Sequence, residues 1–374
     1  MVWWRLAVQV AVLFLAVLAA LVSGGSQAGG GVAGTRVNAS VIWTTPTLKP
    51  QTNKNGEPVF ADTMPLGNGN AVAQVWTNAT AGTFNAILGR ADAMAGTTEI
   101  FKLGWLQIRA DPSPFGGANC TQASCHVFFN QTLDPATATV TTVVGGDSIH
   151  NYFLRAVSYV DANNHVFRTA FDVGPAGPQS GVSLSVSVLS LRPEQPFNAT
   201  PPFHCEPWIY PPDVLFNDTG NLPRNALGIY HRNNDSVVKR VLKQQSLTHL
   251  ENVTTDWWLH RQFGFLVAPS TTQHPNPSSS SSSSSSLLYS PDSWQPGASS
   301  SQIRTTLPVL RAELVAALLS NQTRDETTWI HQAADALQSA LGASAATTRA
   351  QHEAWWANFW SRSHVVIANM GRKL

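Results

Sequence analysis

Strict two-residue alternation restricts the fold of this chain more than any other pattern in it. Residues 182–188 read Val-Ser-Leu-Ser-Val-Ser-Val, so a β-strand there places every aliphatic side chain on one face and every serine on the other. Two further apolar segments, 154–160 and 166–171, are joined by the short polar sequence 161–164, which is typical of a hairpin. Such segments recur from residue 35 to 268 without a helical pattern. They predict a mainly β fold in which antiparallel sheets pack as an unusually large sandwich.

Four motifs lie near the start of this β region. Residues 64–69 read Met-Pro-Leu-Gly-Asn-Gly, and the two glycines permit the positive φ angles of a tight turn. Gly-Arg-Ala-Asp follows at 89–92, Lys-Leu-Gly at 102–104 and Pro-Ser-Pro-Phe at 112–115. In this order and spacing they resemble the N-terminal domain called domain of unknown function 5703. That domain is similar to the N-terminal β-domain of glycoside hydrolase family 95, the α-L-fucosidase and α-L-galactosidase family. The family usually has Trp where this chain has Met94.

The resemblance implies a β-supersandwich, then a helical linker, then an (α/α)6 barrel that holds the catalytic carboxylates. Residues 352–363 resemble the linker helix, whose aromatic residues here are Trp355, Trp356, Phe359 and Trp360. The chain ends at Leu374, so we expect it to lack the barrel and the acid and base that inverting hydrolysis needs. No catalytic residue is therefore assigned, and activity of the chain alone stays open. The four aromatic side chains are expected to form a partly exposed patch where the barrel docks.

The predicted domain organisation has four parts. Residues 1–28 form a signal peptide, 35–268 the β-supersandwich domain, 269–306 a disordered Ser/Pro-rich insertion with nine consecutive serines, and 307–374 a helical linker region. Within the linker region, apolar spacing predicts helices over 307–319, 325–341 and 347–362.

Three polar residues in the motifs are candidates for contact with a sugar or with the missing barrel: Asn68, Asp92 and Lys102. Turn formation is the alternative, and favoured, role for Asn68, and capping of local backbone groups is the alternative for Asp92. A catalytic pair inside the β-domain would draw on Asp62, Asp92 and Glu99. Pairs of carboxylates are common, but pairs with strongly shifted pKa values are rare, so a catalytic pair in the β-domain is the less favoured interpretation.

The N-terminal residues predict export. Arg5 precedes an apolar run over 6–22, and small residues follow up to Ala28, as in a secretory signal peptide. An uncleaved N-terminal signal anchor is the alternative. Nine Asn-x-Ser/Thr sequons agree with secretion: Asn38, Asn78, Asn119, Asn130, Asn198, Asn217, Asn234, Asn252 and Asn321.

The cysteines fit the same oxidising compartment. Cys120 and Cys125 bracket four residues and are expected to form a local disulfide, which leaves Cys205 without a partner in the chain. A zinc site would combine these cysteines with His126 and His204, but their spacing matches no standard ligand pattern. We therefore expect no metal.

Composition excludes several functional classes. The chain has 12% charged residues and a net charge of +1, which gives no indication of nucleic-acid binding. Nucleophile-elbow, phosphate-loop and His-Glu-x-x-His motifs are absent from the sequence, so no cofactor is expected.

The sequence thus predicts a non-catalytic N-terminal β-domain and linker of a secreted, fucosidase- or galactosidase-type glycoside hydrolase-like protein that acts on oligosaccharide or polysaccharide glycans. One alternative is a stand-alone extracellular carbohydrate-binding or adhesive module, with an aromatic groove at 203–210 or near Trp76 and Trp105. A self-contained enzyme is the other.

Overall fold

Strands account for most of the chain that the structure describes. In this computed structural model the described residues are 39–46, 63–95, 99–115, 127–146, 153–174, 181–192, 197–199, 208–217, 222–223, 225–273, 289–292, 300–305 and 307–362. They belong to one compact unit, Ala39–Leu374. The predicted signal peptide lies outside them. Among the described residues, no helix is both long and apolar enough to cross a membrane.

Eighteen strands are present in these ranges. They are β1 (Val41–Trp43), β2 (Met64–Gly67), β3 (Ala71–Asn78), β4 (Thr83–Ala95), β5 (Glu99–Asp111), β6 (Phe128–Asp134), β7 (Thr139–Gly145), β8 (Phe153–Val160), β9 (Val166–Val173), β10 (Ser183–Leu189), β11 (Phe197–Ala199), β12 (Trp208–Tyr210), β13 (Val214–Asn217), β14 (Leu227–Arg232), β15 (Arg261–Gln273), β16 (Tyr289–Asp292), β17 (Ser300–Thr305) and β18 (Arg311–Gln322). The helices are α1 (Val237–Gln244), a 3-10 helix (Thr248–Val253), α2 (Glu326–Gly342) and α3 (Ala345–Arg362).

Two large antiparallel sheets form the sandwich, which confirms the predicted fold class. One has nine strands in the order β1-β6-β7-β8-β9-β18-β15-β14-β13, and the other has seven in the order β16-β17-β10-β5-β4-β3-β2. A two-stranded ribbon pairs β11 with β12. The hairpin predicted around residues 161–164 is confirmed, since β8 and β9 pair directly across that turn.

The main core lies between the two sheets and follows from the alternation in the sequence. In β10, Leu184, Val186 and Val188 are fully buried, and the serines between them are only partly buried. Phe263 and Phe265 enter the same core from β15 of the nine-stranded sheet. Burial of this many apolar side chains from both sheets is the main force that holds the sandwich together.

A helix forms a third layer on the outer face of the nine-stranded sheet. Asp325 caps α2 by accepting a hydrogen bond from the Thr328 N–H (2.7 Å). One apolar stripe of α2, including Trp329, Ala333 and Leu337, is buried against β14, β15 and β18. The helices predicted over 325–341 and 347–362 are thus confirmed as α2 and α3.

The helix predicted over 307–319 is wrong, because this segment contains most of β18. Seven consecutive residues of β18, from Ala312 to Leu318, are buried, since one face meets the core and the other meets α2. A strand buried on both faces reads as a continuous apolar run, which periodicity alone does not distinguish from a buried helix.

The Ser/Pro-rich insertion predicted over 269–306 also needs correction. Its first residues continue β15 as far as Gln273, and β16 and β17 form a hairpin that extends the seven-stranded sheet. The consecutive serines lie outside the described residues. The segment predicted to separate two domains therefore contributes strands to both sheets.

Candidate functional site

Asn68 lies in the turn between β2 and β3, and both polar atoms of its side chain form hydrogen bonds to the backbone of this chain. Its Oδ1 accepts hydrogen bonds from the N–H groups of Asn70 (3.1 Å) and Ala71 (2.8 Å). Its Nδ2 donates to the carbonyl oxygens of Asp161 (2.8 Å) and Asn164 (3.0 Å) in the β8–β9 turn. Asn68 therefore shapes its own turn and ties the seven-stranded sheet to the nine-stranded sheet, as the favoured structural reading predicts.

Asp92 lies where the β4–β5 pairing is interrupted between Gly89 and Met94. The guanidinium of buried Arg90 binds its carboxylate with two hydrogen bonds, Nε to Oδ1 (2.7 Å) and Nη2 to Oδ2 (2.8 Å). Burial raises the pKa of Asp92, but the hydrogen bonds and charge of Arg90 outweigh burial, and the net effect lowers the pKa. Asp92 is therefore an ionised, neutralised carboxylate, which is unsuited to the role of a general acid.

The structure brings Asn68 and Asp92 to the same edge of the sandwich. Asn70, beside Asn68, places its Nδ2 3.2 Å from Nε2 of His165 at the end of the β8–β9 turn. The pKa of His165 is lowered first by burial and then by the charge of Arg90, while Asp92 opposes this shift. This edge is thus a network of turn contacts and one ion pair.

Lys102 lies on β5, the strand next to β4. It pairs with Gly89 across the β4–β5 ladder, and its carbonyl oxygen accepts a hydrogen bond from Nη2 of Arg192 (3.0 Å). Arg192 also lies over the ring of Phe101 at 4.6 Å. Lys102 is thus joined through its backbone to Arg192, whereas Asn68 contacts the β8–β9 turn and Asp92 pairs with Arg90.

A buried polar cluster that the sequence did not reveal lies beside Lys102. Asp213 and His231 have fully buried side chains, and Nε of Arg192 donates to Asp213 Oδ1 (2.7 Å). Burial raises the pKa of Asp213, but Arg192 and His231 outweigh it and lower the pKa. Ser190 Oγ donates to the other carboxylate oxygen (3.0 Å). Residues from strand ends far apart in sequence meet here, and no local motif marks them.

This cluster contains a serine, a histidine and a carboxylate, but it does not have the geometry of a nucleophilic triad. Ser190 donates to Asp213 rather than to His231, whereas a triad requires the serine to contact the imidazole. Nδ1 of His231 is 3.4 Å from Asp213 Oδ1, and neither ring nitrogen has a hydrogen-bond partner among the described residues. The arrangement is an ion pair between Arg192 and Asp213 beside an imidazole that packs against Phe101 and Phe263.

The aromatic residues of α3 form a cluster at the far end of the described chain. Trp355 stacks on Phe359 with 5.6 Å between ring centroids, and Trp356 stacks on Trp360 at 6.3 Å. Phe359 is 39% exposed and Trp360 is 38% exposed, and the other two are half-buried. The expected partly exposed patch is present, and its docking role remains a prediction.

His352 anchors this helix to the sandwich. Its Nδ1 accepts a hydrogen bond from the Ala162 N–H (3.1 Å), so its Nε2 carries the proton that is donated to the carbonyl of Thr137 (2.8 Å). The indole N–H of Trp360 adds a bond to the Pro135 carbonyl (2.8 Å). Helix α3 is therefore fixed to the sandwich at His352 and Trp360, and the aromatic cluster lies on this same helix face at its C-terminal end.

Of the two tryptophans near which a groove is predicted, Trp76 does not face solvent in the described part of the chain. Trp76 is fully buried and packs on Trp105 with 5.5 Å between centroids. The cavity beside Trp76 has a volume of about 10 Å³, which is enough for no more than a water molecule. From the alternative loop at 203–210, only the backbone of β12 is described.

The predicted glycosylation sites differ in exposure. Asn234, Asn252 and Asn321 are exposed, whereas Asn78, Asn130 and Asn217 are half-buried. Asn198 lies in β11, and Asn38 and Asn119 lie outside the described residues. Cys120, Cys125 and Cys205 lie outside them too. Within the described ranges, no group of three or more His, Cys, Asp or Glu side chains is placed to hold a metal ion.

The fold and these surfaces define a two-sheet antiparallel β-sandwich domain with a helical extension. A family model described as domain of unknown function (DUF5703) matches residues 54–365. The chain belongs to this family and matches the family's N-terminal domain. This match confirms the resemblance seen in the motifs.

Comparison with solved structures gives 38 matching chains. One is a putative kojibiose phosphorylase from the human microbiome, with 8% identity, a TM-score of 0.42, and coverage of 86% of this chain and 38% of that one. Another is a bacterial glucoamylase complexed with acarbose, with 8% identity, a TM-score of 0.39, and coverage of 86% and 41%. The chain thus spans about two fifths of the length of these proteins. No curated protein sequence matches the chain.

Proposed function

We propose that this chain is the non-catalytic N-terminal β-domain and linker of a secreted glycoside hydrolase-like protein of the fucosidase or galactosidase type. Its role is to carry and position a helical catalytic barrel. The observation that carries the proposal is the aromatic cluster of α3, since two of its rings expose more than a third of their surface at the end of a helix fixed to the sandwich. Docking of another protein domain is one of the roles that exposed apolar patches serve.

The low pKa of Asp92 and its pairing with Arg90 favour a structural role for the domain rather than a catalytic one. Inverting hydrolysis requires one carboxylic acid and one carboxylate base about 6.5–9.5 Å apart. The pKa of Asp92 is held low by Arg90, and both of its oxygens accept hydrogen bonds from that side chain. Secretion is part of the proposal on the strength of the N-terminal apolar sequence.

The test begins with the transcript downstream of the Leu374 codon. We expect it to encode a helical barrel with a glutamate general acid, and this barrel is then produced separately and mixed with the present chain. We expect association that Phe359→Ser and Trp360→Ser weaken at least about tenfold, since buried aromatic anchors dominate interface energies. Trp257→Ser is the matched control because Trp257 is 61% exposed and lies outside α3; it should leave association unchanged.

Two results would contradict this proposal. One is a downstream sequence without a helical barrel. The other is turnover of a fucoside or galactoside by the present chain alone that is lost in Asp92→Asn, because this would make the β-domain itself the enzyme.

A further inference from the structure

Helix α3 is held to the sandwich by few side chains. Thr348 and His352 are the two buried residues among its 18, whereas α2 buries four residues of its apolar stripe. Most of the stability of a helix in a folded protein comes from its packing against other elements. The position of α3 therefore depends strongly on the contacts of His352.

His352 keeps both of its hydrogen bonds only while its imidazole is neutral. Nδ1 accepts from the Ala162 N–H (3.1 Å), and Nε2 donates to the Thr137 carbonyl (2.8 Å). An imidazolium carries a proton on both ring nitrogens and can only donate. Proton uptake at Nδ1 therefore sets two donors, this nitrogen and the Ala162 N–H, against each other. The bond to Ala162 has to break, and His352 has to separate from the β8–β9 turn.

The charged and titratable groups near His352 come from four elements. They are Arg349 and Glu353 of α3, Tyr159 of β8, Asp161 of the β8–β9 turn, and Asp134 at the start of the β6–β7 turn. Asp161 and Asp134 each accept hydrogen bonds at both carboxylate oxygens from residues of their own turns. Arg349 forms an ion pair with Glu353. These carboxylates thus already have partners, and both nitrogens of His352 bond to the backbone instead.

The docked imidazole binds a proton less readily than a solvated one. Burial lowers the pKa of His352 and outweighs the opposing effects of the Thr137 carbonyl and Asp161. Burial also raises the pKa of Tyr159 to about 12, so this ring stays neutral while His352 titrates. When α3 is released, His352 is solvated and titrates near its ordinary pKa of about 6.5. The docked state is therefore favoured above this pH and weakens as the pH falls below it.

We propose that His352 is a pH-sensitive latch: proton uptake at its Nδ1 breaks the bond to the Ala162 N–H and releases α3 from the sandwich. Trp356 and Trp360 follow His352 at four-residue spacing on the same helix face, so the aromatic cluster moves with the helix. The latch is a property of the present chain alone and does not depend on a catalytic barrel.

Amide hydrogen exchange of the full chain, followed by NMR from pH 7.5 to 5.5, tests the latch. Rates are expressed as protection factors, which remove the intrinsic pH dependence of exchange. We expect the amides of Ala162 and α3 to be less protected than those of β10 in the core, because local release needs less free energy than global unfolding. Protection of Ala162 and α3 should fall up to about tenfold over this range, since release is linked to one proton.

His352→Gln isolates the titration, because the glutamine amide has both an acceptor and a donor but takes up no proton in this range. Protection of α3 should then be independent of pH, while that of β10 still falls through His231. His331→Gln is the matched control, since His331 is an exposed histidine of α2, and it should behave as the wild type.

If α3 of His352→Gln is unprotected at every pH, the wild-type profile decides. Three results would overturn the latch. The first is wild-type α3 protection that does not change with pH. The second is α3 protection equal to that of β10 at every pH, because α3 would then open only with the whole fold. The third is an unchanged pH dependence of α3 protection in His352→Gln.

Discussion

Replacement of Trp329 tests whether α2 is a structural layer of the sandwich or a detachable linker. Its side chain is fully buried and packs on Tyr230 with 5.6 Å between ring centroids. Truncation of a buried Trp to Ala usually costs about 3–5 kcal/mol through lost burial and the cavity left behind. The indole N–H has no hydrogen-bond partner among the described residues, so its removal returns about 1–3 kcal/mol. For Trp329→Ala we therefore expect a net loss of about 2 kcal/mol in the free energy of unfolding, the difference between the midpoints of these two ranges.

Trp329→Phe separates the two contributions. It keeps an aromatic ring against Tyr230 and removes the unpartnered N–H, so we expect it to change the free energy of unfolding by no more than about 1.5 kcal/mol. Trp257→Ala, at an exposed site, should stay within about 0.5 kcal/mol.

Urea unfolding followed by far-ultraviolet circular dichroism is the suitable assay, because thirteen tryptophans obscure any single fluorescence signal. The reasoning is refuted if Trp329→Ala has the same unfolding midpoint as the wild type. It is also refuted if α2 melts in a separate earlier transition, because a helix built into the sandwich unfolds together with the sheets.

Three further predictions follow from local geometry. Gly264→Ala should prevent soluble folding or cost more than about 3 kcal/mol, because its Cβ would lie 1.9 Å from the carbonyl oxygen of Ile229 on the paired strand; normal expression and melting temperature would contradict this. Asn68→Ala should lower the free energy of unfolding by about 1–3 kcal/mol, because it removes the hydrogen bonds that hold its own turn and that reach Asp161. Urea unfolding measures this change, and an unchanged midpoint would show that these bonds are dispensable. Acidification from pH 7.5 to 5.5 should reduce the free energy of unfolding. Burial lowers the pKa of His231, so the unfolded chain takes up a proton near pH 6.5 before the folded chain does. The free energy of unfolding should then fall by up to about 1.4 kcal/mol per pH unit for each such histidine. A pH-independent unfolding midpoint over this range would refute that assignment.

The sandwich was predictable where one strand face meets the core and the other does not. In β10 the alternating serines and aliphatic residues report that asymmetry directly. In β18 both faces are covered, so the alternation disappears, and the segment reads as a helix. The covering layer, α2, follows β18 in sequence, and its own stripe was read correctly. What the sequence did not reveal was that the stripe packs on β18 itself.

The polar sites were predictable only where local chemistry defines them. The turn-setting role of Asn68 follows from its position between two glycines. By contrast, Glu313 meets Arg168, 145 residues away along the chain, and Asp213 meets Arg192 and His231 from separate strand ends. These pairs depend on strand order within and between the sheets, and no spacing in a single sequence encodes that order.

Helix α3 carries both the contacts that fix it to the sandwich and the surface proposed to dock the barrel. His352 bonds the turns that contain Thr137 and Ala162, and Trp360 bonds the Pro135 carbonyl. A substitution of His352 that breaks these bonds would therefore move the aromatic cluster together with the helix and could not test docking. Trp360→Ser removes an exposed ring and one of the anchoring bonds together, whereas Phe359→Ser removes a ring that packs on Trp355 and Trp356. Weaker barrel association in Phe359→Ser is thus the result that supports docking, and weakening in Trp360→Ser alone would instead indicate a displaced helix.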